Sequence, residues 1–293
     1  MADYQITYDY RDNRELRAMY VDYARSVFSG ADFAEWSRLG FWTDRYDPHS
    51  IVIDNQIVAN VSAARIDLIV EGEVFSGIQL GAVGTREAYR GRGLSRVLME
   101  HVVAKYRDDV DTMFLFANDG VTDFYPRFGF QSYQESLLES TVQLSGPAPA
   151  ARRIDITQEA DRALVRRLTS ERIDITHRFG ARNYGYVTAW HLLNPFAEKA
   201  WYVADDDALV ILSEDDRQIN VWEVITTRAI DLMTLLPKAA RGRGSRVVRY
   251  HFPPDQYSFS YDRLVRPVDS TLFVLGRFPI RNEPFKFPVT AET

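Results

Sequence analysis

The segment Ile78–Phe130, IQLGAVGTREAYRGRGLSRVLMEHVVAKYRDDVDTMFLFANDGVTDFYPRFGF, limits the possible folds of this chain more than any other. An apolar run (Ile78–Val83) passes through a short loop into Arg90-Gly91-Arg92-Gly93-Leu94-Ser95, and then into residues spaced as on a helix. That order reads as strand, glycine loop, helix N-terminus. Two glycines let the backbone turn tightly and approach a ligand, because no side chain stands in the way. The first N–H groups of a helix have no partner within it and lie at its positive dipole end, so phosphate oxygens fit there. The segment predicts a pyrophosphate site. Letters alone do not suffice, since Arg241-Gly242-Arg243-Gly244-Ser245 nearly repeats them. There the string follows a predicted helix and precedes a strand, which predicts a helix C-cap and turn instead.

The chain has 293 residues, which favours two domains. It has no cysteine, which excludes disulfides, thiolate metal sites and a cysteine nucleophile. A net charge of −6 with no basic stripe argues against nucleic acid as a partner. It mildly favours a cationic small molecule, although the same acidity also serves solubility. The five histidines are scattered without ligand spacing, so no metal is expected. The first residues do not read as a signal peptide, and no apolar run is long enough to span a membrane. A cytoplasmic protein is the expectation.

Ser145-Gly146-Pro147-Ala148-Pro149-Ala150-Ala151 interrupts helix and strand alike, as linkers do. It predicts domains over 1–145 and 152–293, joined by 146–151. In the first half, strands are expected over Tyr4–Tyr8, Ile51–Asp54, Gln56–Leu68, Ile78–Val83, Thr112–Ala117 and within Gln131–Leu144. Helices are expected over Arg14–Phe28, Asp32–Trp42, Gly93–Tyr106 and Val121–Phe128, the third with Leu94, Leu98 and Val102 facing a core. His101 falls on that stripe and reads as a core residue. The second half follows a similar order, with a strand at Arg153–Ile156, a helix at Gln158–Ile173, strands at Ala200–Ala204, Ala208–Leu212 and Ile219–Thr226, a helix at Ala229–Ala239, and strands at Val247–Phe252 and Thr271–Leu275. The fold class is α/β (α+β), built as two copies of one design.

After the strand Thr112–Ala117 come Asn118 and, seven residues on, Tyr125 within Phe124-Tyr125-Pro126-Arg127-Phe128-Gly129-Phe130. Together with the earlier loop, this resembles the GNAT superfamily of acyl-CoA-dependent N-acetyltransferases. Arg90 and Gly93 match the family's loop, with Ser95 in place of its last small residue. Asn118, Phe124, Tyr125, Gly129 and Phe130 match its later element. The resemblance implies a mixed central sheet flanked by helices and acetyl-CoA as co-substrate. It implies that backbone amides of Gly91, Arg92, Gly93, Leu94 and Ser95 hold the pyrophosphate, with Arg90 in the same loop. Val83 and Thr85 would pair with the pantetheine arm, Asn118 would contact the cofactor or position the parting strands, and Tyr125 would protonate the leaving thiolate.

In members of the family that use a strand carboxylate as general base it lies on the fourth strand, and the corresponding stretch here, roughly Gly77 to Val83, offers only the amide of Gln79. Ordered water or a carboxylate from elsewhere is expected to take the proton, the carboxylate of Thr293 among them. Phe33, Trp36, Phe41, Trp42 and Tyr46 read equally as an acceptor pocket or as core. The acidic triplets Asp205-Asp206-Asp207 and Glu214-Asp215-Asp216 read as solvated turns flanking a hairpin. The second half has no cofactor loop, so a degenerate GNAT-like domain is expected there. The function expected is acetyl transfer to a primary amine on a small cationic acceptor by direct attack. A CoA-binding regulatory or sensor protein without catalysis, and a peptide or protein N-acetyltransferase, are the alternatives.

Overall fold

The computed structural model describes residues 4–145, 150–257, 263–265, 270–281 and 284–293. Most of the expected linker, 146–149, lies outside the described residues. The strands are β1 (Ile6–Thr7), β2 (Tyr46–Ile53), β3 (Gln56–Val70), β4 (Glu73–Thr85), β5 (Thr112–Ala117), β6 (Gln131–Tyr133), β7 (Leu137–Leu144), β8 (Arg152–Arg153), β9 (Phe179–Arg182), β10 (Ala200–Val203), β11 (Ala208–Glu214), β12 (Gln218–Thr226), β13 (Gly244–Tyr250), β14 (Arg263–Val265) and β15 (Thr271–Gly276). The helices are α1 (Arg14–Val27), α2 (Ala34–Arg38), α3 (Leu94–Tyr106), α4 (Glu159–Glu171), α5 (Gly185–Leu193) and α6 (Leu232–Ala239).

Two sheets result. The first runs β1-β2-β3-β4-β5-β15-β6, with β9 added along the end of β3. The second runs β8-β10-β11-β12-β13-β7-β14. Each is antiparallel except for one parallel pair, β4/β5 in the first and β12/β13 in the second. A parallel pair needs a crossover, and α3 and α6 supply it. The order of pairings is therefore the same in both sheets, with one reciprocal exchange. β7, which precedes the linker, lies between β13 and β14, and β15, from near the end of the chain, lies between β5 and β6. A cut at 146–151 does not separate the two sheets.

Local chemistry accounts for several element ends. Asn13 caps α1, its side-chain oxygen accepting from Glu15 N (3.0 Å) and Leu16 N (3.1 Å). The helix expected over Asp32–Trp42 is only α2, and Val121–Phe128 is two 3-10 turns, Asp119–Val121 and Tyr125–Phe128. Pro126 has no N–H to give a longer helix. Sequence periodicity missed α5 because GYVTAWHLL is buried on nearly every side and shows no polar face.

The core has three parts. One lies between the first sheet and α3, where Leu94, Leu98 and Val102 are buried as expected. Another joins the opposite face of that sheet, through α1, α2 and α5, to the second half. The third lies between the second sheet and α6. Phe33, Trp36, Phe41, Trp42 and Tyr46 are all buried in the joint core, which decides for the core reading over an acceptor pocket. Trp36 Nε1 donates to Tyr186 O (2.7 Å), tying α2 to α5.

Candidate active site

β4 and β5 pair at only three positions, Gly77 with Thr112, Ile78 with Met113 and Gln79 with Phe114. Beyond Gln79 the strands part. A β-bulge accompanies the parting. The register between β3 and β4 slips between Asn60/Gly84 and Ser62/Gly81, so Val61 faces two residues, Ala82 and Val83. Ala82 takes φ 47°, a left-handed conformation that costs an L-residue about 1 kcal/mol or more. Two bonds hold it there, with Asn60 Nδ2 donating to Ala82 O (3.1 Å) and the Tyr23 hydroxyl to the same oxygen (3.4 Å). Helix α1 presses on this arm at Gly84, where a Cβ would stand 2.7 Å from Val27 Cγ1. Val83 and Thr85 therefore lie on an arm with no β5 partner.

The loop after the arm is open. Gly91 (φ 75°) and Gly93 (φ 77°) are left-handed, and a Cβ on either would meet no atom within 4 Å. Gly93 is the N-cap of α3, so no side chain covers the first amides, and no acidic residue occupies the first turn. Leu94 is buried beneath the turn, leaving only its backbone for a ligand. The Thr85 and Ser95 hydroxyls share a hydrogen bond (2.7 Å) that joins the arm to the helix. Arg90 Nε donates to Thr85 O (3.3 Å) and Arg92 to Ala88 O (3.0 Å). Neither is in an ion pair among the described residues, whereas Arg86 is paired with Asp22 and Arg96 with Glu100. Bare amides, room above both glycines and two uncommitted guanidinium charges suit a diphosphate.

Asn118 is exposed at the end of β5, and its side chain caps nothing. Tyr125 lies on the α3 side of the sheet, only 5% exposed. Its ring packs 5.4 Å from that of Phe273 and 5.3 Å from that of Phe124. Phe273 belongs to β15, so the exchanged strand from the second half holds this tyrosine in place. The hydroxyl makes no hydrogen bond among the described residues, yet it is not one of the sealed, unpaired polar atoms. Burial pushes its pKa up to about 12, so the phenol keeps its proton at neutral pH.

The other face of the parting strands carries what sequence reading missed. The segment 284–293 threads between the two halves. Gln79 Nε2 donates to Ala291 O (3.2 Å), its Oε1 accepts from Thr293 N, and Thr293 packs on Gly81. Lys286 Nζ bonds Glu135 (2.9 Å) and Glu292 (2.6 Å) and lies 5.2 Å from the Phe116 ring centre. His191 Nε2 donates to Glu292 O (2.8 Å). Burial opposes charge and outweighs the bond to the carbonyl, so the His191 pKa falls to about 4 and the ring is neutral. No local pattern announces these contacts; the bonded pairs lie as far as 214 positions apart.

Other expectations need correction. His101 is half-buried, not core, and its Nε2 lies 3.2 Å from Nδ1 of His49, which sequence spacing did not bring together. Arg241-Gly242-Arg243 is the short loop from α6 into β13, Gly244 and Ser245 already belong to that strand, and the residue capping α6 is Ala240. The Asp205–Asp207 turn is not simply solvated, because Asp207 pairs with Arg167 (2.5 Å) and Asp206 with Lys238 (2.5 Å).

The sequence profile described as Acetyltransferase (GNAT) domain matches residues 14–133. No curated protein matches the sequence. Among solved structures, a GCN5-related N-acetyltransferase from Kribbella flavida is 19% identical at a TM-score of 0.54, covering 93% of this chain and 71% of its own. Eis1 from Mycobacterium abscessus is 16% identical at 0.56, covering 92% and 73%. A GCN5-related N-acetyltransferase from Anabaena variabilis ATCC 29413 is 10% identical at 0.55, covering 92% and 72%. At such identities the structures speak for the fold, which here is that of the GNAT acyltransferases. The stretch matched by the family profile, residues 14–133, holds the parting strands, the glycine loop and Tyr125, and this part of the chain is similar to the GNAT acetyltransferase domain.

Proposed function

We propose that the protein moves an acetyl group from acetyl-CoA to a primary amine on a small, cationic acceptor by direct attack. The observation that carries this reading is the parting of β4 and β5 beside an uncapped, glycine-opened helix start, with a protonated Tyr125 on the same side of the sheet. Amides of Gly91–Ser95 bind the diphosphate, aided by Arg90 and Arg92. The free edge at Val83 and Thr85 takes the pantetheine arm as an added strand, and Asn118 holds the opposite arm. Tyr125 gives its proton to the departing sulfur. No covalent enzyme intermediate is needed, in keeping with a chain that has no cysteine.

The second half is a degenerate GNAT-like unit in this reading, following the domain plan 1–145, 146–151 and 152–293 except that β7 and β15 are exchanged between the two units. It walls the acceptor side and holds the catalytic unit. Supporting this are the shared order of pairings in the two sheets and the absence of a glycine loop before α6.

The test is calorimetry with acetyl-CoA followed by a thiol-release assay over a panel of primary amines and amine-bearing peptides. Binding followed by thiol release with small cationic amines is expected. Binding without release for any amine would make this a CoA sensor; release with peptides alone would replace the small acceptor.

A further inference from the structure

The strand position where a carboxylate could take the acceptor's proton holds Gln79, and both ends of its amide are tied to segment 284–293. Those ties bring Glu292 to the mouth of the parting strands. Its neighbour Thr293 lies on Gly81 of one arm, and its partner Lys286 lies against Phe116 of the other. One Glu292 oxygen is anchored on Lys286, and the other makes no hydrogen bond among the described residues. The side chain is 21% exposed, so a substrate can reach it. Glu135, by contrast, is committed through both oxygens, to Lys286 and to the Phe287 amide (2.6 Å).

From this geometry, and resting on the transferase reading above, we propose that Glu292 is the base that removes the proton from the incoming ammonium. Two carboxylates share one lysine, so the cluster has one negative charge in surplus, which attracts a cation and then a proton. The groups facing Glu292 are Lys286, Glu135 and the neutral His191, with His251 near Lys286 also kept neutral by burial. Burial, reinforced by Glu135 and opposed by Lys286, raises the Glu292 pKa to about 7. A base is effective when its pKa lies near the working pH.

The ammonium proton moves to the free Glu292 oxygen, and the nitrogen lone pair forms the bond to the thioester carbon. The C–S bond then breaks, Tyr125 protonates sulfur, and the second nitrogen proton returns to Tyr125 through solvent. Glu292 releases its proton to water, giving one proton per turnover.

Glu292→Gln keeps the bond to Lys286 but cannot take a proton. In the full-length chain, assayed with an alkylamine, turnover is expected to fall about a hundredfold. The rise of wild-type turnover through about pH 7 should vanish, while the acetyl-CoA KM and the melting temperature hold. An alkoxyamine, already neutral at pH 7, should be acetylated at nearly the wild-type rate by the variant. Glu292→Asp should recover part of the loss and the pH limb. An unchanged pH limb in Glu292→Gln overturns the assignment, as does an equal loss with both acceptor types, which would mark a structural role. Wild-type protein that binds no acetyl-CoA, or releases no thiol, overturns the transferase reading itself and the base with it.

Discussion

The two crossovers, β4–α3–β5 and β12–α6–β13, follow the same path and end in opposite chemistry. In both, the parallel pair breaks off early, after Gln79/Phe114 in the first and after Val221/Tyr250 in the second. In the first, the helix begins at Gly93 with nothing over its amides. In the second, Asp231 caps α6, its carboxylate accepting from Met233 N (3.0 Å). The second Arg-Gly string is also occupied, since Glu214 accepts from Arg241 N (2.9 Å) and Gly242 N (2.9 Å). The gap where β12 runs on past its last pairing with β13 is filled as well. Buried Glu223 there takes a hydrogen bond from Thr290, another from Tyr184 (3.0 Å) and an ion pair from Arg172 (2.9 Å). Wherever the first half leaves anion-binding amides open, the second half covers them with its own carboxylates. A shared topology thus provides the place for a site, and side chains decide whether it is vacant for a ligand or closed.

Separating the halves should have the largest effect. A fragment of residues 1–145 lacks β15, leaving β5 and β6 without the strand between them and Tyr125 without Phe273. It should show no cooperative unfolding transition by circular dichroism. A fragment that folds and keeps the full rate would mean that the halves are independent.

Gly93→Glu should raise the Kd for CoA at least a hundredfold, because a carboxylate enters the place meant for phosphate. Gly93→Ala controls for backbone strain, since the site has room for a methyl group but its φ of 77° penalises any side chain by about 1–2 kcal/mol. Calorimetry of both variants separates charge from strain, and equal affinities would sink the loop assignment.

Tyr125→Phe should lower turnover about tenfold or more with little change in CoA affinity. The ring contacts with Phe273 and Phe124 survive the change, so stability should hold. Steady-state rates beside binding data decide it; an unaltered kcat would leave the tyrosine as packing. The smallest effect is expected in the second crossover. Asp231→Ala should cost about 1 kcal/mol of stability through the lost cap and leave CoA affinity untouched. A change in affinity there would break the contrast between the two crossovers.

How much of this was readable beforehand depends on range along the chain. The strand, glycine loop and helix over Ile78–Tyr106 appear where expected, because apolar spacing and glycine act on neighbouring residues. Leu94, Leu98 and Val102 face the core for the same reason. The helix α5 was hidden because full burial erases the polar face that periodicity detects. The exchange of β7 and β15 was equally hidden, since a strand's alternation is satisfied by either sheet.

Sequence by itself determined the parts that obey local rules, namely a strand that can end in a glycine turn, a helix start with bare amides, and a tyrosine at set spacing from them. Only the tertiary structure decided which sheet each late strand joined, what holds Tyr125, and that Gln79 bonds Ala291 and Thr293 on either side of Glu292. The physical reason is that dihedral preference and hydrophobic period act over a few residues. Pairing, burial and shared charge depend instead on distances in space, between positions such as 79 and 293 that lie far apart in the chain.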